Sequence, residues 1–461
     1  MSAGGVPDLA ARRRALDPAR SFIVQAPAGS GKTELLIQRY LRLLACVEHP
    51  EEIVAITFTR KAAGEMRERV LDALADARAA KAPASEHERT TIELAAAALA
   101  RDTEAGWGVT ANPARLRIQT IDSLCAALTR QMPMLSRFGS QPESIENAAE
   151  LYLEAARATV ELVESDEAVA RDVERLLTHL DNDVGRIEGL LAGMLRRRDH
   201  WLRHVHGRER AELETALQNV RRNTLERVRE RLPEELRAQW KSLADYTLGN
   251  LGRTGFADSA DDWALLARAF LTGGDDWRQR LTQTEGFPAG KAAQPWKERA
   301  LAHIGKLREH EAFRSALADM RRLPPEKYGE DQWDVLGAIT RLLPRAVGQL
   351  KLVFQARGQV DFTEVAQGAL LALGGTEAPS DLALALDYRI RHLLVDEFQD
   401  TSISQYELIA RLTAGWEPGD GRTVFAVGDP MQSIYRFREA EVGLFLRARA
   451  AGIAGVVLEP V

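Results

Sequence analysis

Cysteine is nearly missing: Cys46 and Cys125 are the only two in 461 residues. No disulfide framework can staple the fold, and a reducing compartment suits the chain. Long apolar runs are missing too, since none approaches the roughly 18 to 20 residues that a membrane-spanning helix needs. The first nineteen residues mix Arg12, Arg13 and Arg14 with Asp8 and Asp17 and hold no apolar stretch of the kind a secretory signal carries. A cytoplasmic protein with no membrane partner is therefore expected. Basic charge is not in excess: 61 Lys and Arg against 67 Asp and Glu leave a net charge of −6. Any surface for nucleic acid would have to be a local groove, because the total charge does not supply one. There is no fixed-period repeat and no collagen-like or Gln-rich tract. His204 and His206 form a His-X-His pair, but no Cys or third ligand accompanies them, so a metal centre is not expected there.

What is present is an ordinary globular composition, 45% hydrophobic and 28% charged, on a chain long enough for two or three units with their own cores. Its most informative stretch is Ala26-Pro27-Ala28-Gly29-Ser30-Gly31-Lys32-Thr33. A short apolar run, Ser21 to Gln25, precedes it, and residues with apolar positions at helical spacing follow from Glu34. Strand, glycine-rich loop and helix in that order make a phosphate cradle. Glycines allow close backbone approach, the helix N-terminus faces the anion, Lys32 can reach the β and γ oxygens, and Thr33 can hold Mg²⁺. Ala26 stands where such loops usually open with Gly, a small residue that needs only unstrained backbone.

Two further segments have the same form. Ile53 to Thr59 is a β-branched run that ends in Thr57, Phe58 and Thr59, followed by a helix with Ala62, Met66, Val70 and Leu74 at four-residue steps. Leu116 to Leu124 is again short, apolar and tipped with hydroxyls. Strands alternating with helices indicate a parallel α/β sheet, whose ligands bind at the carboxyl ends of the strands. From about Met132 to Leu350 long helical periodicity takes over, broken at Gly249-Asn250, Gly273-Gly274 and Pro324-Pro325. Basic clusters there, such as Leu195-Arg196-Arg197-Arg198 and Val220-Arg221-Arg222-Asn223, read as solvated helix faces. Strand character returns at Tyr388 to Val395 and runs into Asp396-Glu397. In a chain that already has a phosphate loop, Asp396 can share the Mg²⁺ with Thr33, and Glu397 can orient and deprotonate a water. A last run, Thr423 to Asp429, leads to Gln432, Tyr435, Arg436, Phe437 and Arg438.

Taken together, AGSGKT, TFTRKAAGEMRER, TIDSL, VDEFQDT and VGDPMQSIYRFR resemble, in content and order, the motifs of superfamily 1 DNA helicases of the UvrD/Rep type. The segment Val360-Asp361-Phe362-Thr363-Glu364-Val365 resembles the stretch these proteins carry ahead of the acidic motif. Lys32 and Asp396 lie far apart in sequence, and an enlarged insertion between them is similar to the RecB and AddA branch. The resemblance implies a RecA-like P-loop domain carrying a large inserted all-helical domain. Residues 1–130 and 351–461 would form the ATP-binding motor domain, and 131–350 the insertion. It implies ATP and Mg²⁺ as cofactors, with Ala26 to Thr33, Asp396 and Gln432 around the nucleotide. Lys32, Glu397 and Gln432 would be catalytic, and Thr33 and Asp396 would ligate the metal. Phe58, Tyr435 and Phe437 would stack on bases, and Thr59 and Thr120 would touch the phosphates of DNA. The activity implied is ATP-driven movement on single-stranded DNA and duplex unwinding, in recombinational or double-strand-break repair.

Two departures qualify that expectation. Arg12 stands where the family carries a Gln that reads adenine, which leaves the choice of base open. The sequence also stops about where the family's second motor domain begins, so this chain alone should have low activity, and a second motor half or a partner repair protein is expected. The alternative in another class is a nucleotide-gated DNA-binding or adaptor protein. For a P-loop kinase or GTPase an acceptor or guanine-specificity motif would be needed, and neither is seen.

Overall fold

The computed structural model describes residues 9–27, 29–132, 142–164, 167–205, 210–375, 378–429 and 442–461. Among these residues eight strands are defined: β1 (Phe22–Gln25), β2 (Ile53–Thr57), β3 (Arg117–Thr120), β4 (Glu143–Ser144), β5 (Gln359–Val360), β6 (His392–Val395), β7 (Thr423–Gly428) and β8 (Glu459–Pro460). Six of them form one sheet in the order β3-β2-β6-β7-β1-β8, and β4 pairs with β5 apart from it. Every pairing is parallel. β2, β6 and β7 are buried along their whole length, which is why their sequences are continuously apolar rather than alternating.

Helices supply the cover. Leu36, Tyr40, Leu41 and Leu44 of helix Lys32–Leu44 share one core with Met66, Val70 and Leu74 of Arg60–Arg78, with Ala95 and Ala98 of Glu86–Ala105, and with Phe22, Ile53, Ala55, Ile118 and Phe425 of the sheet. Among the described residues no helix is long and apolar enough to cross a membrane.

Two strand expectations shorten. Leu116 to Leu124 is strand only over Arg117–Thr120, because the Thr120 hydroxyl accepts from the backbone N–H of Ser123 at 3.1 Å and caps a helix that begins at Ile121. Tyr388 and Arg389 close the helix Asp381–Arg389 instead of opening β6, which starts at His392. Asp361 plays the same capping part for helix Phe362–Leu373, accepting from Glu364 N at 2.7 Å.

The chain divides into two compact units, Met1–Arg203 with Arg341–Val461, and His204–Thr340. The second is built on helices that include Arg210–Arg231, Glu234–Asn250, Ala260–Phe270, Gln294–Leu307 and Glu311–Met320. Aromatic rings fill its core: Trp240 stacks on Trp263 with centroids 5.5 Å apart, and Phe313 stands edge-on to Trp240 at 5.2 Å.

The first unit contains a buried ionic cluster that corrects one reading of the sequence. Arg198, whose basic run reads as part of a solvated face, is completely buried. Its Nη1 and Nη2 each donate to Asp361 at 2.6 Å, Nη2 also reaches Glu364 at 3.2 Å, and the Tyr152 hydroxyl donates to Asp361 at 2.6 Å. Removing one partner would leave a buried charge uncompensated. Arg198→Ala should therefore lower the unfolding free energy by about 3–5 kcal/mol in urea titrations. The double variant Arg198→Met with Asp361→Asn should recover part of that loss, since the central charge pair is then removed as a whole.

Candidate nucleotide site

Parallel pairing puts the carboxyl ends of β1, β7, β6, β2 and β3 on one edge of the sheet, and the candidate residues gather there. In register, Gln25 lies opposite Gly428, Val395 opposite Ala426 and Ile56, and Thr57 opposite Thr120. The phosphate loop therefore follows β1, Phe58 and Thr59 follow β2, Thr120 ends β3, and Asp396 and Glu397 follow β6. Ala28, Gln432, Tyr435 and Phe437 lie outside the described residues.

The loop is shaped by two glycines in the left-handed region, Gly29 at φ 72° and Gly31 at φ 82°, where L side chains are strained. Ala26 is not among the residues with positive φ, so replacing the usual Gly there imposes no strain. Its N–H donates to Gly428 O at 3.3 Å and pins the loop to β7. Two of the loop's carbonyls are engaged as acceptors within the loop and the helix. Pro27 O accepts from Ser30 N at 3.3 Å and from Ser30 Oγ at 2.6 Å, and Gly31 O accepts from Leu35 N at 3.1 Å. Helix Lys32–Leu44 starts immediately after Gly31, and the N–H groups of a helix's first turn have no partner within the helix.

Lys32 carries the decisive observation. Its Nζ is buried without a hydrogen-bond partner, and Glu397 Oε2 lies 3.9 Å from it. A buried ammonium without hydrogen bonds is unfavourable unless an anion completes it. Phosphate oxygens at this loop supply that complement, so the residues fit a nucleotide triphosphate. Thr33, the second residue of the helix, is half-buried.

The carboxylates sit in a complementary environment. Asp396 is buried, its N–H donates to Ile56 O at 2.9 Å, and its Oδ1 accepts from Glu397 N at 3.0 Å. Its pKa is pushed up to about 6, first by burial and then by the Glu397 charge, with the N–H of Glu397 and Lys32 opposing. Ionised Asp396 is thus disfavoured by the protein alone, and a cation beside it would reverse that balance, which fits a divalent metal. Glu397 itself takes φ 48° and ψ 42°, a left-handed conformation that a non-glycine residue holds only where its surroundings enforce it.

Gln399 is the residue for which sequence reading assigns no role. Fully buried, it donates from Nε2 to Glu397 Oε2 at 2.7 Å and to Asp400 Oδ2 at 3.2 Å, and its Oε1 accepts from Asp429 N at 2.9 Å. It therefore ties the carboxylate loop to the end of β7. A signal was available in the amide between two acids and in Gly428, where a Cβ would collide with the Gln399 side chain and meet the Phe445 ring at 3.0 Å.

The DNA-facing candidates are less uniform. Phe58 is 7% exposed and lines a cavity of about 420 Å³ with Asp122, Tyr152, Asp199, Phe362 and Gln405. Thr59 Oγ1 accepts from Ala62 N at 3.0 Å, so its hydroxyl, like that of Thr120, serves as a helix N-cap in this structure. Gln399→Ala would leave the Asp429 N–H and Glu397 without their shared partner. It should lower the unfolding free energy by about 1–3 kcal/mol, read by urea titration monitored in the far ultraviolet.

Comparison with known proteins gives the family of the chain. The family model for the UvrD/REP helicase N-terminal domain matches residues 10–451. Among curated proteins, a subunit of the ATP-dependent helicase/nuclease of Lysinibacillus sphaericus is 27% identical over 468 residues, covering 92% of this chain and 35% of that protein. Its counterpart in Exiguobacterium sibiricum is 29% identical over 472 residues, covering 94% and 36%. That of Bacillus mycoides is 27% identical over 469 residues, covering 93% and 35%. The chain spans about a third of the length of these relatives. With the family model covering nearly all of it, this chain belongs to the UvrD/REP helicase N-terminal domain family.

Proposed function

We propose that this chain is the ATP-binding, strand-engaging part of a DNA-translocating motor. The buried ammonium of Lys32, which has no hydrogen bond among the described residues and lies 3.9 Å from Glu397, carries the reading, and the family membership and the names of the relatives support it. In this reading residues 1–130 and 351–461 make a RecA-like motor domain with 131–350 inserted; His204–Thr340, inside that insertion, packs as a separate unit, while 131–203 and 341–350 cluster with the first unit.

Lys32 binds the β and γ oxygens, and its charge is most useful where negative charge grows on the transferred phosphoryl group. Thr33 and Asp396 would hold Mg²⁺, which when bound screens the phosphate oxygens. Glu397 orients the attacking water and takes its proton, with Gln399 holding the carboxylate in place. Gln432 is proposed as the sensor of the γ-phosphate. Phe58, Tyr435 and Phe437 are proposed to stack on bases of single-stranded DNA, a contact indifferent to sequence and so suited to a motor. Thr59 and Thr120 are proposed as contacts to the DNA phosphates through their hydroxyl protons. For the parent protein this amounts to ATP-driven movement and unwinding in DNA repair, with a second motor half or a partner protein completing the nucleotide cleft.

Lys32→Ala should abolish Mg-ATP binding measured by calorimetry. Glu397→Gln should keep binding while slowing hydrolysis by about 10² to 10⁴. Unaltered ATP affinity in Lys32→Ala would overturn the reading.

A further inference from the structure

The phosphate loop has one contact that neither strand order nor capping explains. Arg12, on the short helix Leu9–Ala15, donates from Nη2 to the carbonyl oxygen of Ser30. Its Nη1 lies 3.3 Å from where a Cβ on Gly31 would be. The guanidinium therefore lies against the loop at Ser30 and Gly31, the two residues directly before the helix that starts with Lys32.

The segment that carries Arg12 is itself anchored. Arg39, on the same helix as Lys32 and wholly buried, donates from Nη1 to Ala15 O at 3.2 Å and to Asp17 O, and from Nη2 to Arg20 O at 2.9 Å and to Thr423 Oγ1 at 3.2 Å. Those bonds fix the chain just after the N-terminal helix to the nucleotide helix and to β7. Arg14 adds a bond from Nη2 to Pro460 O at 3.0 Å on β8.

An anion cradle works only if its amides face the anion and its carbonyls turn away. Pro27 O and Gly31 O accept from donors within the loop and the helix, and Ser30 O accepts from Arg12, so each of these carbonyls is engaged by the protein. We infer that Arg12 is a positioning residue of the nucleotide site, which holds the carbonyl face of the phosphate loop outward so that the loop presents its N–H groups to a triphosphate. This rests on the phosphate-site reading above and adds a second element, the N-terminal helix, to that site. Because Arg12 acts on the loop, its contribution is to the triphosphate and is the same for any base.

The test uses the full chain and three probes: Mg-ATP, Mg-GTP and inorganic tripolyphosphate with Mg²⁺. Arg12→Ala should weaken all three by a similar factor, about tenfold for one charge-assisted hydrogen bond. Arg12→Lys should restore part of the loss, because it keeps a cationic donor. The melting temperature without nucleotide should fall by no more than a few degrees, the cost of one hydrogen bond, and the affinity for single-stranded DNA should stay at the wild-type value, whereas a purely structural role would lower stability without a uniform loss of triphosphate binding. Unchanged affinity for all three probes in Arg12→Ala, or a loss confined to Mg-ATP, would overturn the inference. If the wild-type chain binds none of the probes, the phosphate-site reading fails first and the inference with it.

Discussion

The parallel ladder of β7 between β1 and β6 is the constraint on which the rest depends. A phosphate loop and a carboxylate pair can act on one nucleotide only if their strands end at the same edge and stand close together, here with one strand between them. Hydrogen bonding of β7 to both neighbours imposes that spacing, and parallel direction imposes the common edge. Lys32 and Glu397 then face each other although more than three hundred residues separate them. The ladder also explains Gly428: at the last position of β7 any side chain would displace Gln399, the amide that steadies Glu397.

Buried charge is treated in two ways in this molecule. Arg198 and Arg39 are fully buried but well provided with acceptors, the first by Asp361 and Glu364 and the second by three backbone carbonyls and Thr423. They hold helices and connecting segments in place. Lys32 and Asp396 are less fully provided: among the described residues the ammonium has no hydrogen-bond partner and only Glu397 at 3.9 Å, and the carboxyl, which accepts from Glu397 N, has its pKa pushed up to about 6. A buried ammonium with no hydrogen bond, beside a carboxylate whose ionised form is disfavoured, is the arrangement expected where a charged ligand binds.

The same distinction explains what is legible in the residues alone. Periodicity locates β1, β2, β6 and β7 and the helices after them, because strands buried on both faces must be apolar and covering helices must be amphipathic. Motif chemistry locates the loop and the carboxylates. Strand ends are illegible at Leu116 to Leu124 and at Tyr388 to Val395, since a capping threonine and a helix C-terminus look locally like strand residues. Arg198 misleads because a basic run reads as solvent-facing until a carboxylate 163 positions away is seen to meet it.

By itself the sequence determined the class of fold, the positions of the glycine-rich loop and of the acidic pair, and the absence of a disulfide framework, because each is a property of residues near one another in the chain. Only the tertiary structure decided that Gln399 steadies Glu397, that Thr59 and Thr120 cap helices, that Arg198 belongs to a buried ionic cluster and that Arg12 bears on the phosphate loop. Those are contacts between segments whose spacing in sequence carries no signal, and their energies depend on burial and angle, which exist only once the chain has packed.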